Sequence, residues 1–250
     1  MPPDWPRISI VIPTLNEARN LPYVFSRFPE GIFEVILVDG YSTDDTVATA
    51  QALLPEIRVV RQTRRGKGNA LSCGFEAARG DIIVMLDADG SADAAEIPLF
   101  VEVLRQGADF AKGSRFMRGG GSADITRIRR LGNWGLNTIV NTLFGTRYSD
   151  LCYGYNVFWA HCLEYMRIDC DGFEVETQIN IRIAKAGLSV REVPSYEERR
   201  IHGVSNLNAV RDGRRVLATI LRERLWWDAK PAPAEMMHLD RAESNGLSES

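Results

Sequence analysis

The chain has little of what would build a cysteine-based site or a membrane span. Its four cysteines, Cys73, Cys152, Cys162 and Cys170, form no Cys-x-x-Cys pair. Cys73 lies in a helical pattern and reads as a small buried apolar residue rather than a ligand. Of the three histidines, His161 and His238 carry no motif. No apolar run approaches the length needed to cross a bilayer, and Met1 to Arg7 contain no apolar h-region of a secretory signal. The net charge of −3 creates no global field that would recruit nucleic acid or an anionic membrane. There is no internal repeat and no Walker loop, since Gly-x-x-x-x-Gly-Lys-Ser/Thr is absent. These absences point to a soluble protein of the reducing cytoplasm. A length of 250 residues with 45% apolar side chains is enough for one sizeable core.

What the chain does have is a set of apolar strands that end in acids. Ile82 to Leu86 are five apolar residues in a row, as in a central strand of a parallel sheet covered on both faces, and Asp87-Ala88-Asp89 follow. Sheets of this kind bind ligands beyond the carboxyl ends of their strands. Two hard oxygen ligands at that position suit Mg²⁺ or Mn²⁺, which can in turn hold a diphosphate. Phe33 to Val38 end in Asp39 in the same way, and Ile8 to Pro13 run into Thr14-Leu15-Asn16-Glu17. One edge would then carry Glu17, Asp39, Asp87 and Asp89. Four carboxylates there repel one another unless a divalent cation or a cationic ligand group sits among them.

Strands are expected near 8–13, 33–39, 57–62, 82–87 and 108–113 with helices between them, giving an α/β fold with a mostly parallel central sheet. The Arg118-Gly119-Gly120-Gly121-Ser122 stretch reads as a mobile, lid-like loop. After it come a helix over about 125–144, a strand near 154–159, a helix near 174–186, a strand over 188–193 and a last helix over about 208–227. Residues 231–250 mix Pro, Ala, Glu, Asn and Ser without period, the composition of a disordered tail.

Ile10 to Glu17, Leu37 to Asp44, Gly66-Lys67-Gly68-Asn69-Ala70 and Asp87-Ala88-Asp89 follow the order and spacing of the family 2 inverting glycosyltransferases, which the chain resembles. Gly113-Ser114-Arg115, Arg129 to Asn133, Asp150 to Gly154, Gly172 to Glu176 and Arg200 to Ser205 resemble the dolichol-phosphate mannose synthase branch, whose members move a sugar onto a polyprenyl phosphate. The resemblance covers roughly residues 8 to 220. It implies a GT-A fold in one catalytic domain over 1–230, with a nucleotide-binding half to about 113 and an acceptor half to about 227. Two departures stand out: Gly40 replaces an acid common in relatives, and Gly90-Ser91 replace a bulkier pair.

The chemistry of such a transfer assigns roles. Asp87 and Asp89 would hold the cation, a Lewis acid on the departing diphosphate of a GDP- or UDP-sugar. Pro13, Glu17 and Asp39 would lie by the base and ribose, Lys67 resembles the family's base-side lysine, and Ser91 offers a hydroxyl beside the metal. Pro13 equally reads as a strand stop and Glu17 as a first-turn acid. Guanidinium groups bind phosphate bidentately, so Arg115 with Arg129 or Arg130 are candidate clamps for an acceptor phosphate. Arg200 and Ser205 extend that end, although Asn206 stands where Lys is common, which makes a non-lipid acceptor more credible. His202 is a candidate diphosphate contact or a surface histidine, and Glu176 a candidate acceptor-side acid. In the last helix Val210, Leu217, Ile220, Leu221, Leu225 and Trp226 keep helical spacing among arginines, and Trp227 follows. That pattern suits either peripheral membrane contact or packing on the domain. A nucleotidylyltransferase would carry a Gly-rich basic loop after strand one, which Pro13-Thr14-Leu15-Asn16 is not. A non-catalytic sugar-nucleotide-binding module would be expected to have lost one of the two strand-end acids.

Overall fold

A computed structural model describes residues 5–203 and 209–226. The nucleotide-binding half runs β1 (Ile8–Thr14), α1 (Leu21–Ser26), β2 (Glu34–Asp39), α2 (Thr46–Leu53), β3 (Arg58–Arg61), α3 (Lys67–Ala77), β4 (Ile82–Met85), α4 (Ile97–Arg105) and β5 (Phe110–Ser114). The second half adds β6 (Gly121–Ser122), α5 (Arg127–Phe144), β7 (Asn156–Trp159), α6 (Leu163–Met166), α7 (Val175–Lys185), β8 (Val190–Pro194), β9 (Tyr196–Glu197) and α8 (Ala209–Trp226). Seven strands form one sheet in the order β3-β2-β1-β4-β7-β5-β8. Only β7 runs against its neighbours β4 and β5, so the other six strands point the same way.

The apolar runs bury both faces of this sheet. Ile8, Ile10 and Ile12 with Leu37 and Val84 face Phe100 and Tyr155, while Val11, Ile36, Val38 and Met85 face Phe75, Phe158 and Ile179. The second layer holds a stacked Phe110–Phe158 pair, centroids 5.4 Å apart, with Phe75 edge-on to Phe158. A slip of one residue would exchange the two faces, and the in-register pairing of Ile10 with Val35 and Val84 prevents it. Because β1, β2, β4, β5 and β8 are parallel, their carboxyl ends meet at one edge. The antiparallel β7 brings the segment before it, Cys152 to Tyr155, to that same edge.

The glycine stretch is not a free lid. Gly121–Ser122 pair in parallel with Tyr196–Glu197, and Gly120 N–H donates to Met117 O at 2.9 Å. A Cβ on Gly120 would fall 2.5 Å from Ser114 O, so the glycine permits close backbone approach there. α8 packs through Val216 and Ile220 against Val140, Tyr148, Leu151 and Ile181, and leaves Leu217, Leu221 and Leu225 facing outward. Ile220 thus belongs to the packed side rather than to an outer apolar face. Among the described residues no helix is long and apolar enough to cross a membrane. The expectations for Ser205, Trp227 and the tail over 231–250, and for the side chains of Val210 and Trp226, lie outside the described residues.

Candidate active site

The strand ends open into a pocket of about 570 Å³. Pro13, Glu17, Lys67, Asp87, Asp89, Ser91, Arg115, Arg129, Glu176 and Arg200 of the sequence-derived residues line it. Asp39, Arg130 and His202 do not.

Its acids are neutralised by the chain itself. Lys67 Nζ lies 2.7 Å from Asp87 Oδ1 and 2.7 Å from Glu176 Oε1. Arg200 Nη1 lies 2.8 Å from Glu17 Oε1, and its Nη2 3.0 Å from Asp89 Oδ2. The expected repulsion among carboxylates is therefore relieved without a ligand, because two cations from distant segments reach the edge. Burial alone would lower the Lys67 ammonium, yet Asp87 and Glu176 hold it well above its usual range. Burial pushes Glu176 up, against the attraction of Lys67. Burial likewise opposes the Arg200 charge, and Glu17 and Asp89 restore it. Gly154 makes the first cluster possible: a Cβ there would fall 2.6 Å from Glu176 Oε1 and 3.1 Å from Lys67 Nζ.

The acids are held in place by their neighbours. Ser91 Oγ donates to Asp89 Oδ1 at 2.7 Å, and Ser91 N–H donates to the same oxygen at 3.0 Å. Asn20 Nδ2 donates to Glu17 Oε2 and to His202 O, and His202 N–H donates to Asn20 Oδ1 at 3.0 Å. What places His202 here is thus its backbone. Ile201 N–H donates to Asp89 O, and Glu198 N–H to Ser91 O, so segment 198–202 is strapped across the Asp87–Asp89 turn. Asp39 is 2% exposed; its Oδ1 accepts from Ser42 N–H at 3.2 Å, and Arg61 stands 4.0 Å from Oδ2.

Arg115 is not the free phosphate clamp that the sequence suggested. It is 6% exposed, and its Nε and Nη2 donate to the two oxygens of Asp150 at 2.7 and 2.9 Å, while Nη1 donates to Glu197 at 3.0 Å. Burial opposes its charge, but Asp150 and Glu197 raise it well beyond the ordinary guanidinium range. Most of its fork is committed, so Arg115 braces β5 against β9 at the pocket wall. Of the other pocket arginines, Arg199 is exposed, whereas Arg129 pairs with Asp124 at 2.9 Å and Arg200 bridges Glu17 and Asp89. Arg130 is exposed, 5.8 Å from the Phe116 ring centroid.

Several site residues carry no signal in a single sequence. Gln62 lines the pocket but belongs to no motif. Asn133, Asn137 and Asn141 sit four residues apart on α5; Asn137 and Asn141 each donate to and accept from the 148–152 backbone, and Asn133 accepts from Cys152 N–H. Their spacing was visible in the sequence; the segment they would hold was not.

Comparison with known proteins decides the family. The profile of glycosyl transferase family 2 matches residues 9–167. The chain belongs to this family. Among curated relatives, glycosyltransferase AglJ of Haloferax volcanii is 33% identical over 211 residues, covering 82% of this chain and 68% of that protein. Undecaprenyl-phosphate mannosyltransferase of Micrococcus luteus is 31% identical over 208 residues, covering 78% of this chain and 85% of its own length. Other relatives are longer, and the chain spans 34% of one and 38% of another. Glucosyl-3-phosphoglycerate synthase from Mycobacterium tuberculosis, solved with Mn²⁺, UDP and glucosyl-3-phosphoglycerate, superposes with a TM-score of 0.69 at 26% identity, over 92% of this chain and 82% of that one. The family 2 chain is thus a glycosyltransferase of the dolichol-phosphate-mannose-synthase-like branch with the GT-A fold. A relative crystallised with Mn²⁺ supports a divalent cation as its cofactor.

Proposed function

We propose that this glycosyltransferase moves a hexose from a nucleotide-diphosphate sugar to a polyprenyl phosphate at a membrane surface, with inversion. The observation that carries the acceptor reading is the joining of two unlike surfaces. One surface is the pocket, which carries Asp87 and Asp89 together with Arg129, Arg199 and Arg200, the last paired with Asp89 at 3.0 Å. Arg129 stands on α5, whose outer side exposes Ile128, Leu131 and Trp134 at three-residue spacing, each at least 66% exposed. Charged groups that meet a phosphate, beside an apolar helix face with exposed Arg127 and Arg130, match an amphipathic acceptor better than a soluble one. The relative that acts on undecaprenyl phosphate by name supports the same acceptor.

Asp87 and Asp89 fit a hard divalent cation. Their carboxylates face the pocket, and the positions they offer are already matched to positive charge by Lys67 and Arg200. Among the described residues no third His, Cys, Asp or Glu completes a protein-only site, so water and diphosphate oxygens would fill the shell, as Mg²⁺ and Mn²⁺ favour. When bound, the cation supplies Lewis-acid stabilisation of the leaving diphosphate. Lys67 holds the Asp87 carboxylate at 2.7 Å, and Ser91 fixes the Asp89 rotamer. Arg200 bridges Glu17 and Asp89 and stands where it can pass to an incoming phosphate. A phosphate acceptor is already an anion at neutral pH, so Arg129 and Arg199 need only steer it.

Purified chain with Mn²⁺, radiolabelled GDP-mannose and UDP-glucose, and either a short-chain polyprenyl phosphate or glycerol 3-phosphate provides the test. Product on the polyprenyl phosphate supports the reading. Transfer to glycerol 3-phosphate alone would move the acceptor to the soluble class.

A further inference from the structure

Beneath the pocket floor, β5 buries a charge. Lys112 is 0% exposed and among the largest fully buried side chains, although an ammonium group leaves water only at considerable cost unless it is paired. Its Nζ donates to Tyr153 O at 3.1 Å and forms no ion pair with any described residue. Burial lowers the ammonium, and Asp150, Glu192 and Glu176 attract it from farther away. Each of those acids has a nearer partner: Asp150 has Arg115, Glu192 has Ser149, and Glu176 has Lys67. The acids therefore do not account for a lysine at this place.

The segment that Lys112 holds does account for it. In the β5–β7 pairing Lys112 stands opposite Asn156, two residues along from the stacked Phe110–Phe158 pair, so both side chains enter the layer between the sheet and α7. Asn156 is also 0% exposed; its Nδ2 donates to Gly154 O at 3.4 Å, and its Oδ1 is buried without a partner among the described residues. Tyr153 O and Gly154 O are thus both held from the buried side, by side chains of β5 and β7. The Cα of Gly154 in turn presses on three charged groups of the pocket. A Cβ there would fall 2.6 Å from Glu176 Oε1, 3.1 Å from Lys67 Nζ and 3.3 Å from Asp87 Oδ2. Any displacement of residues 153 and 154 therefore reaches all three.

We infer that Lys112 is a positioning residue for transfer: its ammonium fixes the Tyr153–Gly154 segment, and Gly154 fixes Lys67 and Glu176 against Asp87. This rests on the glycosyl-transfer reading above and adds to it a group outside the pocket that sets the geometry within it. A buried charge kept for placement has a signature of its own. Replacing it by an apolar residue of similar size relieves its desolvation and strands only one carbonyl, so the fold keeps or gains stability while turnover falls. A lysine kept for the fold alone would show the reverse.

Lys112→Met and Asn156→Leu, made in the full chain, test the inference by thermal unfolding and by steady-state kinetics. The kinetics use Mn²⁺ with GDP-mannose and UDP-glucose as donors, and short-chain polyprenyl phosphate and glycerol 3-phosphate as acceptors. Lys112→Met is expected to melt at the wild-type temperature or above it. Its kcat should fall about tenfold to a hundredfold with donor KM within about twofold of wild type, because a misplacement of about 1 Å acts on the transfer step. Asn156→Leu, which removes the second hold, should show the same split to a smaller degree. Wild-type kcat in both folded variants would overturn the inference while leaving the enzyme reading intact. A lowered melting temperature with unchanged turnover per folded molecule, or failure of both variants to fold, would overturn it too, since either assigns Lys112 to the fold. A wild type that transfers sugar to neither acceptor would overturn the inference together with the reading on which it rests.

Discussion

Lys67→Met removes the cation that pairs with one buried acid, Glu176, and one half-buried acid, Asp87. In the native chain Lys67 Nζ touches Asp87 and Glu176 at 2.7 Å each, and the Lys67 and Glu176 side chains are 11% and 9% exposed. Asp87, at 34% side-chain exposure, can turn to solvent when the ammonium is lost. Glu176 cannot, because α7 fixes it beneath Gly154. Removing one partner of a buried ion pair costs about 3–5 kcal/mol, and the freedom of Asp87 favours the lower end, about 3 kcal/mol. For a domain of this size that lowers the melting temperature by about 6–12 °C.

The loss carries a pH signature. Burial holds the folded Glu176 carboxyl above its ordinary value even with Lys67 present, and more so without it. A group whose folded pKa is raised gives stability that is complete below the unfolded value, about 4.3, and disappears as pH rises through the folded value. The deficit of Lys67→Met relative to wild type should thus be small near pH 4.5 and full at pH 8. Urea unfolding followed by circular dichroism at the two pH values reads it, with Glu176→Gln and the double variant closing the cycle. Glu176→Gln combined with Lys67→Met should recover most of the loss at pH 8, since no charge is then left buried. Equal deficits at both pH values, or no recovery in the double variant, would refute the reasoning.

Asp89→Ala should abolish metal-dependent donor binding while the melting temperature changes little, measured by titration with UDP or GDP in Mn²⁺ and in chelator; undiminished binding in chelator would remove the metal role. Arg200→Gln takes a guanidinium from 3.0 Å off Asp89, so Mn²⁺ should bind the donor-free enzyme about threefold to tenfold more tightly, read by electron paramagnetic resonance. Arg115→Ala strands Asp150, which is 0% exposed, and should destabilise the chain by about 3–5 kcal/mol in urea unfolding rather than act only on the acceptor. Trp134→Asp with Leu131→Asp should abolish flotation with anionic liposomes and leave transfer to a water-soluble short-chain acceptor in place, if α5 is the face that meets the bilayer.

How far the sequence went depended on whether a residue's partner is near in the chain or supplied by the fold. The parallel strands were legible because Ile8 to Pro13, Phe33 to Val38 and Ile82 to Leu86 are apolar throughout, and an apolar run followed by an acid describes a strand end whatever lies beside it. The Asp87–Asp89 pair needed only that much, and it lines the pocket where expected. Arg115 went the other way. A guanidinium after a strand in a glycine-rich context looks the same whether it is free or bound, and only the placement of Asp150 and Glu197, 35 and 82 residues away, decides it. The repulsion read from four acids failed for the same reason. Lys67 and Arg200 were both visible as cations, but that one would reach Asp87 and Glu176 and the other Glu17 and Asp89 is a property of the closed sheet. Gly40 marks the same boundary from the opposite side. As a departure from relatives it was legible at once, and the close approach that suits a glycine there, with a Cβ falling 2.9 Å from Thr14 O, became visible only when the end of β1 stood beside it.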